Sequence, residues 1–250
     1  MKTFFYLVCT LILVTGCEKY NPKYINNPAG PSSLHNSPVG ESASDLLSAF
    51  TYNTLKIEIQ YMPGYAPDEA AINHLVNMFG EVSNKSEVTV STKEILVSYG
   101  PTYSVDDLLA IERTNRTAFT RGTEMTVYVL YTNGNGTDPN ALGVAYRNTS
   151  VAIFGKKIHD NSGALGQPGR TKLEATVLEH EMGHLFGLVN LGTPMLSPHE
   201  DASHSKHCSN SDCLMYYAAE TKDILGLLIT GNIPTFDAAC RNDLKGNGGK

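Results

Sequence analysis

Residues 180–187 read His180-Glu181-Met182-Gly183-His184-Leu185-Phe186-Gly187. On an α-helix, positions i and i+4 lie on one face, about a turn apart. Two imidazoles so placed can share one Zn²⁺ at about 2.0–2.1 Å from each nitrogen. Glu181, beside the first histidine, can reach a water on that metal. It can act as general base on the water and then pass the proton to a leaving amine. The motif is short enough to arise by chance, so its surroundings decide its meaning. Leu173, Val177, Met182, Leu185 and Phe186 supply apolar packing positions for a helix over 171–188. Gly187 lets the chain leave that helix by a sharp turn with φ > 0.

The elements upstream supply a scaffold for such a helix. Leu55, Ile57 and Ile59 alternate with Lys56, Glu58 and Gln60, the pattern of a half-buried strand. Pro67 and Asp68 open a helix with Ala71, Leu75, Val76 and Phe79 on one face and Gly80 as its stop. A strand is expected within 88–98 and a helix over 106–116, with Ser104 as its N-cap. Residues 125–131 form a strand, Asn133-Gly134-Asn135-Gly136 turns the chain, and 142–154 hold one or two strands ended by Gly155. A loop over 163–169 leads into the metal helix. The order strand, helix, strand, helix, strand, strand, helix predicts an α/β (α+β) sandwich with a mixed sheet. Regularity fades after Leu188. A loop-rich segment follows to about Tyr217, then short helices over 218–228 and 235–244.

The chain has 250 residues, 41% of them hydrophobic, which suits one globular domain with export and linker sequence. A net charge of −6 offers no basic patch for nucleic acid. Lys2 precedes an apolar stretch over 4–14, too short to span a bilayer comfortably, and then Val14-Thr15-Gly16-Cys17. This resembles a bacterial lipobox. It implies a signal peptide over 1–16, cleavage before Cys17 and a lipid on that cysteine. Residues 17–44, rich in Asn, Pro, Ser and Gly, read as a flexible lipidated tether, and 45–250 as the catalytic domain. The expected location is the bacterial cell envelope, lipid-anchored to the outer membrane, with a monomeric domain outside the cytoplasm. His35 in the tether and His74 on the first helix read as surface residues. Cys208, Cys213 and Cys240 stay in the mature domain, where an oxidising compartment permits one disulfide and one free thiol.

Zinc needs a third protein ligand, with water at the fourth position. A short spacer would place that ligand at Asn190, which is a poor one. The segment beyond supplies His199, Glu200, Asp201, His204 and His207. It continues as His207-Cys208-Ser209-Asn210-Ser211-Asp212-Cys213-Leu214-Met215. Here a family resemblance becomes specific. His180-Glu181-x-x-His184-x-x-Gly187 resembles the metzincin zinc helix. His207-Cys208-x4-Cys213-x-Met215 resembles the end of the same consensus in archaemetzincins and related minimal metzincins.

The resemblance implies a mostly parallel twisted sheet with an antiparallel edge strand, a long zinc-binding helix and a loop-rich C-terminal subdomain. It implies a zinc peptidase acting on peptide or protein substrates, with extended substrate pairing along an edge strand within 142–154. His207 becomes the third ligand and Met215 the Met-turn beneath the metal. Tyr217 stands where astacin- and serralysin-like metzincins carry a tyrosine that binds zinc or donates to an oxyanion. The chain departs from the pattern twice. It inserts 188–206 before the third ligand, and it lacks the later Cys-x-x-Cys with which archaemetzincins hold a second, structural zinc. One catalytic ion is therefore expected, with Cys208 and Cys213 in a disulfide. Two rivals stand beside this reading. One is a gluzincin-type hydrolase using Glu200 or Glu220 as third ligand. The other is an envelope lipoprotein that retains zinc without cleaving. Gly187 and the 207–215 cluster favour the metzincin, and an intact Glu181 favours catalysis.

Overall fold

A computed structural model describes residues 33–97 and 99–250; Cys17 and the expected export segment lie outside them. In chain order the elements are α1 (Ala43–Leu47), β1 (Thr54–Tyr61), α2 (Glu69–Val82), β2 (Glu87–Glu94), β3 (Thr102–Tyr103), α3 (Val105–Asn115) and β4 (Glu124–Tyr131). There follow β5 (Asn135–Gly136), β6 (Gly143–Arg147), β7 (Ser150–Ile153), α4 (Gly155–Asp160), α5 (Arg170–Leu185), α6 (Ile224–Thr230) and α7 (Ala238–Gly246). The main sheet has the order β2-β1-β4-β7-β6. Strands β2, β1, β4 and β7 are parallel, and β6 returns antiparallel along β7 as the edge. This is the mixed, mostly parallel sheet with an antiparallel edge strand that the resemblance implied.

Both faces of the sheet are covered. Leu55, Ile57, Ile59, Val127 and Val129 pack with Leu75 and Phe79 of α2 and with Val177 and Leu178 of α5. Tyr128, Leu130 and Ala152 pack with Leu108 and Ile111 of α3 on the other face. The alternation in β1 is therefore real, but its polar side is not solvated, and Glu58 and Gln60 are buried. Glu58 accepts the backbone N–H groups of Thr117, at 3.0 Å, and Ala118, at 2.7 Å, while Gln60 Oε1 accepts the Tyr128 hydroxyl at 2.9 Å. A central strand flanked on both sides buries even its polar face, and does so only with partners.

Helix boundaries follow capping chemistry. Ser104 and Asp107 form a reciprocal capping box at the start of α3. Asp68 caps α2 through Ala71 N at 3.1 Å. Helix α2 runs through Gly80 to Val82, because Met78, Phe79 and Val82 bury on the core side and outweigh the roughly 1 kcal/mol that one glycine costs. Gly155, expected to end a strand, opens the short α4.

Residues 33–44 are not a tether. Ser33–Asn36 form a 3-10 turn and His35 is only 2% exposed. Its Nδ1 lies 2.7 Å from Thr149 Oγ1, and its Nε2 accepts Thr120 N–H at 3.0 Å. Asn148 Nδ2 donates to Leu34 O and Ser42 Oγ, each at 2.7 Å. The tip of the β6–β7 hairpin thus satisfies this polar segment, and the domain reaches back to at least Ser33 rather than 45. At the other end, the helices expected over 218–228 and 235–244 begin later, at Ile224 and Ala238.

Candidate metal centre

Every residue of α5 from Leu173 to Leu185 is buried. Its first turn is tied to the start of α2: Glu174 accepts Asp68 N–H at 2.7 Å and pairs with Arg170 at 3.2 Å. The helix carries His180 and His184 into the centre of the domain, with ring centroids 4.8 Å apart.

The long segment after α5 delivers the third imidazole. Gly187 adopts φ +77°, as expected, and Val189 and Asn190 follow in the left-handed region at 55° and 59°. The chain then folds into a small hairpin in which Asp201 N donates to His207 O and Ser209 N to His199 O, both at 2.8 Å. Its tip is clasped by Glu200, which accepts Lys206 N–H at 2.7 Å and Asn190 Nδ2 at 3.1 Å. The centroid of His207 lies 5.3 Å from that of His180 and 5.2 Å from that of His184. The other candidates are used elsewhere. His199 Nε2 is 2.8 Å from Asp243 Oδ2. His204 pairs with Asp201 at 2.8 Å and stacks on Tyr217 at 3.6 Å.

Hydrogen bonds orient the rings. His180 Nδ1–H donates to Leu214 O at 2.7 Å and His207 Nδ1–H to Ser205 O at 3.1 Å. Each leaves Nε2 as the inward nitrogen, and both Nε2 atoms are buried without a hydrogen bond. Burial lowers the pKa of His184 to about 4, so its ring is neutral at ordinary pH and its lone pair is free. Buried polar atoms without partners are costly and call for an explanation. Three imidazoles turned toward one point, each braced by packing or a second-side hydrogen bond, fit a zinc ion.

Glu181 is fully buried beside them, with both carboxylate oxygens lacking a hydrogen bond. Burial, and then the charge of Glu220, raises its pKa well above the ordinary carboxylate range. It faces the start of β6: a β-carbon on Gly143 would fall 2.8 Å from Glu181 Oε1. Met215 lies under the metal helix, where a β-carbon on Gly183 would fall 2.2 Å from its Sδ. Gly183, which sequence alone marks only as a weak helix residue, is therefore the space that Met215 fills.

Glu220 enters the same centre from the 3-10 turn Tyr217–Glu220. Its Oε2 lies 3.7 Å from Nε2 of both His180 and His184, and its Oε1 lies 3.1 Å from His207 Nε2. Burial pushes its pKa up, but the three imidazoles outweigh this and hold the carboxyl well below its usual range. Tyr217 is engaged with other partners. Its ring packs on His204 and Tyr216, and its hydroxyl interacts with Tyr216 and Asp223.

A second cluster lies beneath. Cys208, Cys213 and Cys240 are free thiols, gathered with Asp237 so that one ligand atom of each lies within 4.8 Å of the others. The expected Cys208–Cys213 bridge is not formed. Cys213 Sγ is 3.6 Å from Cys240 Sγ, and Cys208 Sγ is 3.4 Å from Asp237 Oδ2. Met215 N and Asp237 N both donate to Cys213 Sγ at 3.4 Å. The run Asp237-Ala238-Ala239-Cys240 thus supplies two of the four side chains of this cluster. Three sulfurs and one carboxylate fit a closed tetrahedral zinc site. The spacing of Asp and Cys across α7's first turn is the signal that a search for cysteines alone passes over.

No protein-family model matches this sequence, and no curated protein is similar to it. The fold is similar to that in the crystal structure of an archaemetzincin from Methanopyrus kandleri, with a TM-score of 0.52 and 18% sequence identity. The likeness covers 78% of this chain and 96% of that one. The chain thus has an archaemetzincin-like, minimal-metzincin fold.

Proposed function

We propose that this protein is a zinc-dependent peptidase, with His180, His184 and His207 holding the catalytic ion and Glu181 acting as general base. The observation that carries the reading is the convergence of three imidazoles on one buried point beside an unpaired buried carboxylate, in a fold shared with an archaemetzincin. When bound, zinc supplies Lewis acidity to a peptide carbonyl and to a nucleophilic water. Glu181 takes the proton from that water and delivers it to the leaving nitrogen. Strand β6, the edge of the sheet, offers its outward backbone to an extended peptide. Met215 supports the helix from below, and Leu214 O fixes the His180 ring.

Cleavage of an unstructured protein such as casein, with metal content measured on the same samples, tests the reading. Glu181→Ala should retain zinc and lose most activity, because it removes the base and no ligand. Wild-type turnover in that variant would sink it. Cys208, Cys213, Cys240 and Asp237 are proposed to hold a second, structural ion. Lipid attachment at Cys17, and with it the cell envelope as location, is proposed from the export-like N-terminus. A Cys17→Ser variant that still partitions into detergent would refute it.

A further inference from the structure

We infer that Glu220 is a fourth protein ligand of the catalytic metal, closing the centre in the resting protein, and that its side chain must swing away before substrate is cleaved. The inference rests on the three-histidine zinc reading above. A tetrahedral ion about 2.0–2.1 Å from nitrogen and oxygen ligands sets neighbouring ligand atoms about 3.4 Å apart. Glu220 Oε2 lies 3.7 Å from Nε2 of both His180 and His184, and Oε1 lies 3.1 Å from Nε2 of His207, so the two oxygens together face all three nitrogens at about that spacing. These are ligand-to-ligand distances, and the Nε2 atoms of His180 and His207 make no hydrogen bond in this arrangement. The carboxylate thus closes the remaining side of the three-imidazole cluster, where a tetrahedral ion would take its fourth ligand.

The backbone aims it there. Leu142 N donates to Glu220 O at 2.7 Å, Ala141 bridges Thr221, and Thr221 N donates to Ala218 O at 3.0 Å. Ala218 and Ala219 are buried and hold the turn in place. The side chain extends from this turn toward the three imidazoles. It is 25% exposed, against 0% for His180, and so lies on the solvent side of the centre. Four protein ligands make a closed centre, whereas a catalytic one keeps a position open. Glu220 thus sets the resting state, and rotation of its χ angles toward solvent gives the open one. Its anchor at Leu142 adjoins the start of β6, so a peptide lying along that edge arrives beside the residue it must displace.

The test uses the full chain with cobalt(II) in place of zinc, compared with Glu220→Ala and the isosteric Glu220→Gln. A His180→Ala/His184→Ala double variant is subtracted to remove any signal from the cysteine cluster. The wild type should give the intense visible bands of four-coordinate cobalt. Glu220→Ala should give shifted bands, because a water replaces the carboxylate, and bind acetohydroxamate about tenfold tighter or more, since no side chain competes for the position. Peptidase turnover should rise in parallel. Thermal unfolding checks that the variants are folded, and Glu220→Gln carries the comparison if the alanine variant is not. Identical spectra and hydroxamate affinities for wild type and both variants would overturn the inference and leave the three-histidine site standing. Equal cobalt uptake by the wild type and the double-histidine variant would overturn both.

Discussion

Gly183 lies between His180 and His184 on α5, and replacing it with alanine probes the packing beneath the proposed metal centre. The added β-carbon would fall 2.2 Å from Met215 Sδ and 3.2 Å from both Met215 Cε and the Phe236 ring. Non-bonded carbon contacts settle at about 3.5–4.0 Å, so the approach to sulfur is more than an ångström too close. Met215 is fully buried and cannot move without displacing its neighbours. Overpacking of this kind costs about 1–3 kcal/mol, and the better helix propensity of alanine offsets about 1 kcal/mol of it. A net loss of up to about 2 kcal/mol lowers the melting temperature by up to about 8 °C in a domain of this size. Any shift of Met215 also moves Leu214, whose carbonyl holds the His180 ring at 2.7 Å. Zinc affinity should therefore fall about tenfold, at the lower end of losses from outer-shell partners. Gly80→Ala in α2 is the control: its β-carbon meets nothing within 4 Å, and it should stabilise by about 0.5–1 kcal/mol. The assays are thermal unfolding and zinc titration against a competing chelator. If Gly183→Ala melts as high as Gly80→Ala and binds zinc as tightly as the parent, Met215 does not support the helix as described.

His207→Ala should abolish tight zinc binding at the catalytic centre, while His204→Ala should leave it nearly unchanged, since His204 pairs with Asp201 and stacks on Tyr217. An equal loss at His204 would move the third ligand there. Cys240→Ser should remove one of two zinc equivalents and lower the melting temperature without emptying the histidine site. A wild type that binds a single equivalent would contradict it. Burial, and then the charges of Arg116 and Arg147, lowers the pKa of His35 from 6.5 to about 3 in the folded state. The unfolded chain therefore takes up this proton first. The stabilisation is complete above pH 6.5 and is lost as pH falls toward 3, by up to about 1.4 kcal/mol per pH unit. Urea unfolding of the parent and of His35→Gln at about pH 6.5 and pH 4.5 should show a smaller pH dependence in the variant. Equal slopes would mean that His35 is not buried as a neutral ring.

The local pattern made most of the scaffold legible. Strict alternation at 54–61, a capping serine at 104 and the i, i+4 histidines each name a strand, a helix start and a metal face from nearest neighbours alone. The left-handed turn at Gly187 was legible for the same reason, since few residues other than glycine take that conformation freely. The reading lost accuracy where the outcome depends on what packs against a segment. Glu58 and Gln60 look solvated in the sequence and are buried because α3 lies over them. Residues 33–44 look like a tether because nothing local to them is apolar enough to fold, yet Asn148 and Thr149 supply their partners from more than a hundred positions away.

The chemistry of the sites divides in the same way. The sequence by itself placed His180, Glu181 and His184 together on one helix and offered histidines and glutamates of the following segment to complete a metal centre. Only the tertiary structure decided which carboxylate shares the centre, because Glu220 is brought there by its pairing with Leu142 and by no spacing rule. It likewise replaced the expected Cys208–Cys213 bridge with a four-residue cluster, since Asp237 and Cys240 come from a helix more than twenty residues downstream. A motif written within one turn of helix is enforced by backbone geometry and can be read directly. A constellation assembled from separate loops is enforced only by the packing that holds those loops, and that information lies in the fold.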